Sequence, residues 1–223
     1  MINDATDMSF QSPVVQIALD VTEIDEALRL AELSVKAGAD WLEAGTPLIV
    51  AQGYRAIGKL AEAFPGIPVL ADYKTMDGGG RNVHITREQG GRLMTVCGNA
   101  ADETIQAATR ASAETGVWVV IDTIGVKDQV ARVRQCVEWG AQAIYLHYGF
   151  DQHQADDTKD ANQWVAQVKD AVDVPIGIGC FGCESAELGV KLGADIFCVG
   201  HPLISADDPL DQLQRFVGTV KQH

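Results

Sequence analysis

The chain has 223 residues, of which 47% are hydrophobic and 22% charged, a composition that suits one domain with a sizeable buried core. Its 31 acidic and 17 basic residues give a net charge of −14, which argues against nucleic acid or an anionic membrane as the main partner. We therefore expect no nucleic-acid partner, no membrane partner and a well-solvated acidic surface.

The N-terminus and the cysteines both indicate a cytoplasmic protein. The first residues are acidic and polar, unlike a signal or transit peptide, and no apolar run approaches the roughly 18 residues of a membrane span. The five cysteines are an odd number without the spacing of a small disulfide-rich domain. Cys180 and Cys183 form a C-x-x-C pair, but one pair without ligand histidines nearby is a weak signal for metal or redox chemistry.

Short apolar runs alternate with amphipathic segments along the whole chain. The segments between the runs have helical spacing, and a glycine precedes several runs, where it can end the preceding helix. The runs predict eight strands, at 14–19, 41–43, 69–72, 93–97, 117–122, 143–147, 174–178 and 196–199.

Eight strand–helix units in one uninterrupted chain predict an α/β protein with a single (β/α)8 barrel over residues 1–223, in which 1–12 form a polar N-terminal extension. A doubly wound sheet is the competing fold. It usually stops at five or six strands, and no Gly-x-Gly-x-x-Gly follows the first predicted strand, so the barrel is favoured.

Ionisable residues stand at the C-terminal ends of the predicted strands, where barrel enzymes carry their catalytic groups. Each follows a nearly pure apolar run, so none is explained as a solvated surface position. In chain order they are Asp20, Glu43, Asp72, Lys74, Asp122 and His147. Their convergence on one end of the barrel predicts an active site there.

The third predicted strand carries the strongest signal, because Asp72, Lys74 and Asp77 lie within six residues at its end. Residues two apart in a strand point to the same face, so Asp72 and Lys74 are expected to share one cavity. Such a cluster is costly unless the charges hold a metal, a substrate anion or a proton in transit.

The residue types indicate the chemistry. Glu43 and Asp72, on neighbouring strands, supply the hard oxygen ligands that suit Mg²⁺. Lys74 is expected to stay protonated between its acidic neighbours and to neutralise or protonate an enolate, and His147 to polarise a hydroxyl or relay a proton. Glycine-containing turns after the seventh and eighth strands predict a phosphate site, whose residues are Gly179, Cys180, Gly200 and His201.

These residues lie in segments that resemble the orotidine-5′-phosphate decarboxylase suprafamily. Within it, the Mg²⁺-dependent branch contains the 3-hexulose-6-phosphate synthases and the 3-keto-L-gulonate-6-phosphate decarboxylases. The Asp-x-Lys-x-x-Asp core is that of the suprafamily, whereas Lys-Thr-Met-Asp-Gly, Gly-Val-Lys-Asp and His-x-Gly-x-Asp resemble the synthases more. The resemblance runs from Gln16 to Pro209 and is carried by residues 43–47, 71–78, 122–128 and 147–151.

The resemblance implies a homodimeric, Mg²⁺-dependent aldolase or lyase of carbohydrate metabolism that works through the enediolate of a phosphorylated ketose. The expected reaction joins ribulose 5-phosphate to formaldehyde. The resemblance further implies that Glu43 and Asp72 bind Mg²⁺ and that Lys74 and Asp77 face the reacting carbons. Asp77 is expected to serve the active site of the neighbouring subunit.

Further roles follow from the same resemblance. Asp20 is expected to hold a substrate hydroxyl and Lys74, Asp122 stands where the decarboxylases have a glutamate, and His147 matches the histidine of the sixth strand. The base that removes the α-proton stays open between Asp77, Asp72 and His147.

Several positions depart from the family pattern. Gly179-Cys180 replaces a Gly-Gly pair, and His201-Pro202 stands where a glycine or an arginine usually follows Gly200. Gly80-Arg81 replaces an acidic residue, and Phe150 stands where the decarboxylases have an arginine. These changes keep two alternatives open: decarboxylation of a 3-keto sugar acid phosphate (or a related lyase reaction), and a barrel that has become a non-catalytic binding subunit.

Overall fold

The computed structural model describes residues 10–222, which form a closed barrel of eight parallel strands in sequence order with helices outside it. This confirms the predicted (β/α)8 fold. None of the helices in this part of the chain is long and apolar enough to cross a membrane. The strands are β1 Val14–Leu19, β2 Trp41–Ala44, β3 Val69–Thr75, β4 Leu93–Cys97, β5 Trp118–Asp122, β6 Ala143–Leu146, β7 Ile176–Gly179 and β8 Ile196–Val199.

The helices follow the strands on the outer layer. A short 3₁₀ helix, Leu203–Ser205, follows β8. The α-helices are α1 Ile24–Ala37, α2 Thr46–Gln52, α3 Arg55–Ala63, α4 Gly79–Glu88, α5 Asp102–Thr115, α6 Gln129–Glu138, α7 Phe150–Ala155, α8 Asn162–Lys169, α9 Cys183–Leu192 and α10 Pro209–Lys221.

Two apolar clusters, divided by the alternation of side chains along each strand, form the core. Val15, Ile17 and Leu19 point outwards from β1 into the layer beneath the helices. Val14 and Ala18 of the same strand belong to the cluster that fills the barrel interior. Because the interior is filled by side chains, it is a packed core rather than a pore, and reactive groups are left to its rim.

Residues 1–9 of the predicted N-terminal extension lie outside the described residues. Phe10, within the extension, packs its ring against Trp41 and Trp118, with centroids 6.2 Å away in each case. Both tryptophans stand at the N-terminal ends of their strands. Phe10 therefore covers the end of the barrel opposite to the predicted active site.

Most predicted strands agree with the structure to within a residue, and two differ for a clear reason. β7 begins at Ile176 rather than at residue 174, because Pro175 has no N–H to donate to a neighbouring strand. β3 continues to Thr75 instead of ending at Asp72, and its pairing with β4 shifts register between Ala71 and Thr75. This irregularity lies within the segment that carries the strongest functional signal.

Candidate active site

The carboxyl ends of the strands bring the predicted polar residues together at one mouth of the barrel. Lys74 Nζ forms an ion pair with Asp72 Oδ2 and lies 3.8 Å from Asp122 Oδ2. The same oxygen of Asp122 is 2.8 Å from His147 Nδ1. Residues from β3, β5 and the end of β6 thus form one connected network.

The backbone at Lys74 is unusual, with φ of +47°, the one positive φ of a non-glycine residue in the described chain. Side chains other than glycine enter this region at a cost in free energy, and such residues concentrate at functional sites. The Lys74 N–H leaves the regular ladder and donates to Thr95 Oγ1 at 2.9 Å. The contact between Asp72 and Lys74 therefore depends on a bulge in β3 as well as on strand alternation.

Two threonines hold the Asp72 carboxylate. Thr95 Oγ1, on β4, donates to Oδ1 at 2.8 Å, and Thr46 Oγ1, at the start of α2, donates to Oδ2 at 2.7 Å. Thr46 is also 3.2 Å from Lys74 Nζ. Both Asp72 oxygens therefore have donors inside the protein.

Burial alone would lower the pKa of Lys74, but the carboxylates of Asp72, Asp122 and Glu43 outweigh it and raise that pKa, so the ammonium stays charged.

Asp122 orients the His147 ring. Burial alone would raise the pKa of Asp122, but His147, Lys74 and the Ile124 N–H, which donates to Oδ1 at 2.8 Å, lower it. An ionised carboxylate only accepts hydrogen bonds, so the neutral imidazole carries its proton on Nδ1 and keeps a lone pair on Nε2. His147 itself is the first residue after β6, which ends at Leu146, one residue before the strand end predicted from the sequence.

Glu43 is almost completely buried, with 7% of its surface exposed. Gln16 Nε2 donates to its Oε2 at 2.5 Å, and Cys198 Sγ lies 3.3 Å from the same oxygen. Burial, and then the repulsion of Asp72 and Asp20, raise the pKa of Glu43 well above its ordinary value. The contributions of Asp72 and Asp20 to this shift show that negative charge is concentrated on this side of the mouth.

Two glycines make room for the Asp20 carboxylate, which follows β1. A Cβ on Gly45 would lie 2.1 Å from Asp20 Oδ1, and one on Gly200 would lie 3.1 Å from Oδ2. Burial and the negative charge of Asp72 raise the pKa of Asp20, although Lys74 acts in the opposite direction. Asp20 thus lies within the electrostatic reach of Lys74.

The predicted phosphate residues differ in what they present to the mouth. A Cβ on Gly179 would meet no atom within 4 Å, so the space above this residue is open. The Cys180 N–H already donates to Cys198 O at 2.7 Å, and its side chain is buried in the outer core cluster. His201 bridges two elements, with Nε2 3.1 Å from Asp20 O and Nδ1 2.9 Å from Ser205 Oγ.

Asp77 differs from the other predicted catalytic residues, because it is exposed to solvent and lies apart from the network. It is exposed in the turn between β3 and α4, where its Oδ1 accepts from the Gly78 N–H at 2.7 Å. Neighbouring Met76 is exposed as well. Within one chain, Asp77 is therefore not part of the cluster around Lys74.

The carboxylates of Glu43 and Asp72 fit a hard divalent cation. No group of three or more His, Cys, Asp or Glu side chains within residues 10–222 is arranged to enclose a metal. Mg²⁺ does not need such a cage, since it is commonly held by one or two carboxylates and completes its coordination with water and substrate oxygens. The mutual repulsion that raises the pKa of Glu43 is the feature that a cation would relieve.

Three residues that support the site received no role from the sequence: Gln16, Thr46 and Thr95. Gln16 and Thr95 occupy inward-facing positions of β1 and β4. A polar residue within an otherwise apolar predicted strand was the signal that could have identified them. Thr46 follows Glu43 in the Glu-Ala-Gly-Thr segment, but its contact with Asp72 depends on how α2 packs against β3.

The fold and the site together define a barrel enzyme with a buried centre of carboxylates, one lysine and one histidine. Residues 13–216 match the model of the orotidine 5′-phosphate decarboxylase / HUMPS family, and the chain belongs to that family. It is therefore an enzyme, which removes the alternative of a non-catalytic binding barrel.

Similar proteins include synthases at more than 30% identity. The 3-hexulose-6-phosphate synthase of Mycobacterium gastri is 35% identical over 197 residues, which cover 87% of this chain and 93% of the relative. The crystal structure of 3-hexulose-6-phosphate synthase from Salmonella typhimurium has a TM-score of 0.88 at 31% identity and covers 94% of this chain and 99% of that one. KGPDC from Streptococcus mutans, at 22% identity and a TM-score of 0.87 over 95% and 99% of the two chains, supports the fold alone.

The crowding of carboxylates predicts that Glu43→Gln stabilises the metal-free protein. A buried carboxylate at position 43 is repelled by Asp72 and Asp20, and a carboxylic acid there forms only by taking up a proton, which costs free energy at neutral pH. A neutral amide avoids both the repulsion and the proton uptake. We expect a gain of about 1 kcal/mol, or ~3 °C in Tm for a chain of this size. Thermal unfolding in EDTA measures it, with the exposed Glu62→Gln on α3 as the control; a lower Tm for Glu43→Gln alone would contradict the prediction.

Proposed function

We propose that the enzyme is a Mg²⁺-dependent 3-hexulose-6-phosphate synthase, a carbon–carbon lyase that joins formaldehyde to ribulose 5-phosphate. The observation that carries the proposal is the network of Asp72, Lys74, Asp122 and His147 at the mouth of the barrel. The names of the relatives with more than 30% identity support this choice of reaction. Phe150, 59% exposed where the decarboxylases have an arginine, disfavours decarboxylation because it offers no positive charge.

Lys74 is the group that stabilises the enediolate. Its ammonium is held between Asp72 and Asp122, so it is oriented before the substrate arrives. An enediolate develops negative charge on two adjacent oxygens, and a preorganised cation in a partly buried site stabilises that charge more than water does. Mg²⁺ bound by Glu43 and Asp72 would add Lewis-acid stabilisation of the same charge.

His147 is the base that best suits removal of the α-proton. Its Nδ1–H is held by Asp122, which leaves the Nε2 lone pair for a substrate proton. Asp72 has donors on both oxygens, and Asp77 lies outside the cluster of its own chain. After the enediolate carbon attacks formaldehyde, the imidazolium can return the proton to the new alkoxide.

The loops after β7 and β8 would hold the substrate phosphate. The space above Gly179 is open, and Gly182, the N-cap residue of the following helix α9, provides no side-chain cap for the first N–H groups of that helix. Such N–H groups are suited to an anion. In this proposal Gly179 and Gly200 line the cradle, Cys180 anchors its loop to β8, and His201 contributes from the side of β1.

In a homodimer, Asp77 could act in the active site of the neighbouring subunit. A cleft of about 270 Å³ beside the site is lined by residues that include Thr46, Tyr54 and Asp72. Val50, 80% exposed, and Met76, 54% exposed, offer apolar surface on the same side of the barrel. We propose that a second copy covers this surface and that Asp77 of each chain completes the other's site. The five free cysteines suit a reducing compartment, and we place the enzyme in the cytoplasm.

The reaction itself provides the first test. We expect formaldehyde to be consumed with ribulose 5-phosphate in the presence of Mg²⁺ and not in the presence of EDTA. A colorimetric formaldehyde assay measures the rate, and restoration by excess Mg²⁺ controls for damage by the chelator. If no formaldehyde is consumed under either condition, the synthase assignment is wrong.

The pairing of Asp122 with His147 predicts a large loss of turnover in Asp122→Asn. The new amide would donate to Nδ1 and so favour the tautomer that carries its proton on Nε2, which removes the base. We expect kcat to fall about 10²–10⁴-fold while KM changes little. Steady-state kinetics give both constants, with Asp128→Asn at the start of α6 as a control outside the mouth. A kcat within a few-fold of the wild type would exclude His147 as the base.

The shared site predicts complementation between two inactive variants. Asp77→Asn and Glu43→Gln are each expected to be inactive as homodimers. In a hybrid dimer one site would combine an intact Glu43 with the partner's intact aspartate, so an equal mixture should regain about a quarter of wild-type activity. Activity is measured after mixing under subunit exchange, with each variant alone as the control. Hybrids that form, by native mass spectrometry, but stay inactive would place Asp77 outside a shared site.

A further inference from the structure

The two oxygens of the Glu43 carboxylate have different surroundings. Oε2 points into the barrel, where Gln16 Nε2 donates to it at 2.5 Å and Cys198 Sγ lies at 3.3 Å. No donor from the described part of the chain bonds to Oε1. The carboxylate is therefore anchored from beneath by one oxygen, and the other is left for a ligand at the mouth.

Gln16 has no surface exposed, and its Oε1 has no hydrogen-bond partner among the described residues. An unpaired buried carbonyl destabilises a fold, and an apolar side chain of similar volume would avoid that cost. The hydrogen bonds of the amide nitrogen explain why a glutamine stands here, because Nε2 donates to Glu43 Oε2 and, at 3.6 Å, to Cys198 Sγ.

Cys198 completes the arrangement from β8. Its Sγ lies 3.3 Å from Glu43 Oε2, so the S–H can donate a hydrogen bond to that oxygen. The three side chains, from β1, β2 and β8, close a ring of contacts that fixes the rotation of the carboxylate.

We propose that Gln16 and Cys198 are positioning residues that set the affinity of the divalent-cation site by holding Glu43 with Oε1 directed to the mouth. This inference rests on the proposed Mg²⁺ site. Groups that orient a metal ligand typically change metal affinity about 10–100-fold when they are removed, without touching the metal.

The test measures cation binding in the absence of substrate. Mn²⁺ serves as the probe, because electron paramagnetic resonance counts the free hydrated ion, and Mg²⁺ is then titrated as a competitor. We expect Gln16→Met to raise the Kd for Mn²⁺ by about 10–100-fold, with a Tm equal to or higher than that of the wild type. Cys198→Val is expected to weaken binding as well, whereas Cys198→Ser, which keeps an O–H donor, should bind nearly as the wild type does.

Gln129→Met is the matched control, because Gln129 is also buried with an unpartnered Oε1 but lies at the start of α6, outside the mouth. Its Kd should not change. Wild-type affinity in both Gln16→Met and Cys198→Val would overturn this inference while leaving the Mg²⁺ site in place. Absence of Mn²⁺ and Mg²⁺ binding to the wild type would overturn the metal site and this inference with it. If Gln16→Met does not fold, the two Cys198 variants decide the question.

Discussion

The active site depends on one electrostatic constraint: four buried or nearly buried carboxylates share one mouth with a single lysine. A closed parallel barrel brings these residues together, because every strand ends at the same rim. Burial alone would lower the pKa of Lys74, but the negative charges of Asp72, Asp122 and Glu43 raise it. Such an arrangement opposes folding, so its persistence is best explained by the chemistry that it performs.

The surroundings of each carboxylate divide the four into different roles. Asp122 is stabilised as an anion by a histidine, a lysine and a backbone N–H, so its pKa is lowered. Glu43 has like charges nearby and little solvent, so its pKa is raised. Opposite shifts in neighbouring acids are typical of sites that separate a permanently charged group from one that changes its charge or its ligand. In the proposed mechanism Asp122 orients the base, and Glu43 binds the cation.

The alternation of apolar runs and helical segments was sufficient to predict the barrel, and strand order alone placed Asp72, Lys74, Asp122 and His147 at one rim. What the sequence did not reveal depends on contacts between distant segments. The positive φ of Lys74 has no signal in its residue type, because a bulge against β4 imposes it. The threonine donors to Asp72 come from neighbouring elements whose register and packing only the folded chain defines.

The departures from the family pattern in the loops after β7 and β8, where we propose that phosphate binds, are less disruptive than the sequence suggested. A Cβ at position 180 would crowd a phosphate cradle only if it faced the mouth, but the Cys180 side chain is buried in the outer core and its N–H extends the contact with β8. On the mouth side, Phe181 stacks on His153 of α7, with ring centroids 3.7 Å apart. His201 likewise contacts Asp20 O, directly after β1, through its Nε2. The substituted residues therefore fix these two loops and leave the backbone at Gly179 open, as the proposed phosphate site requires.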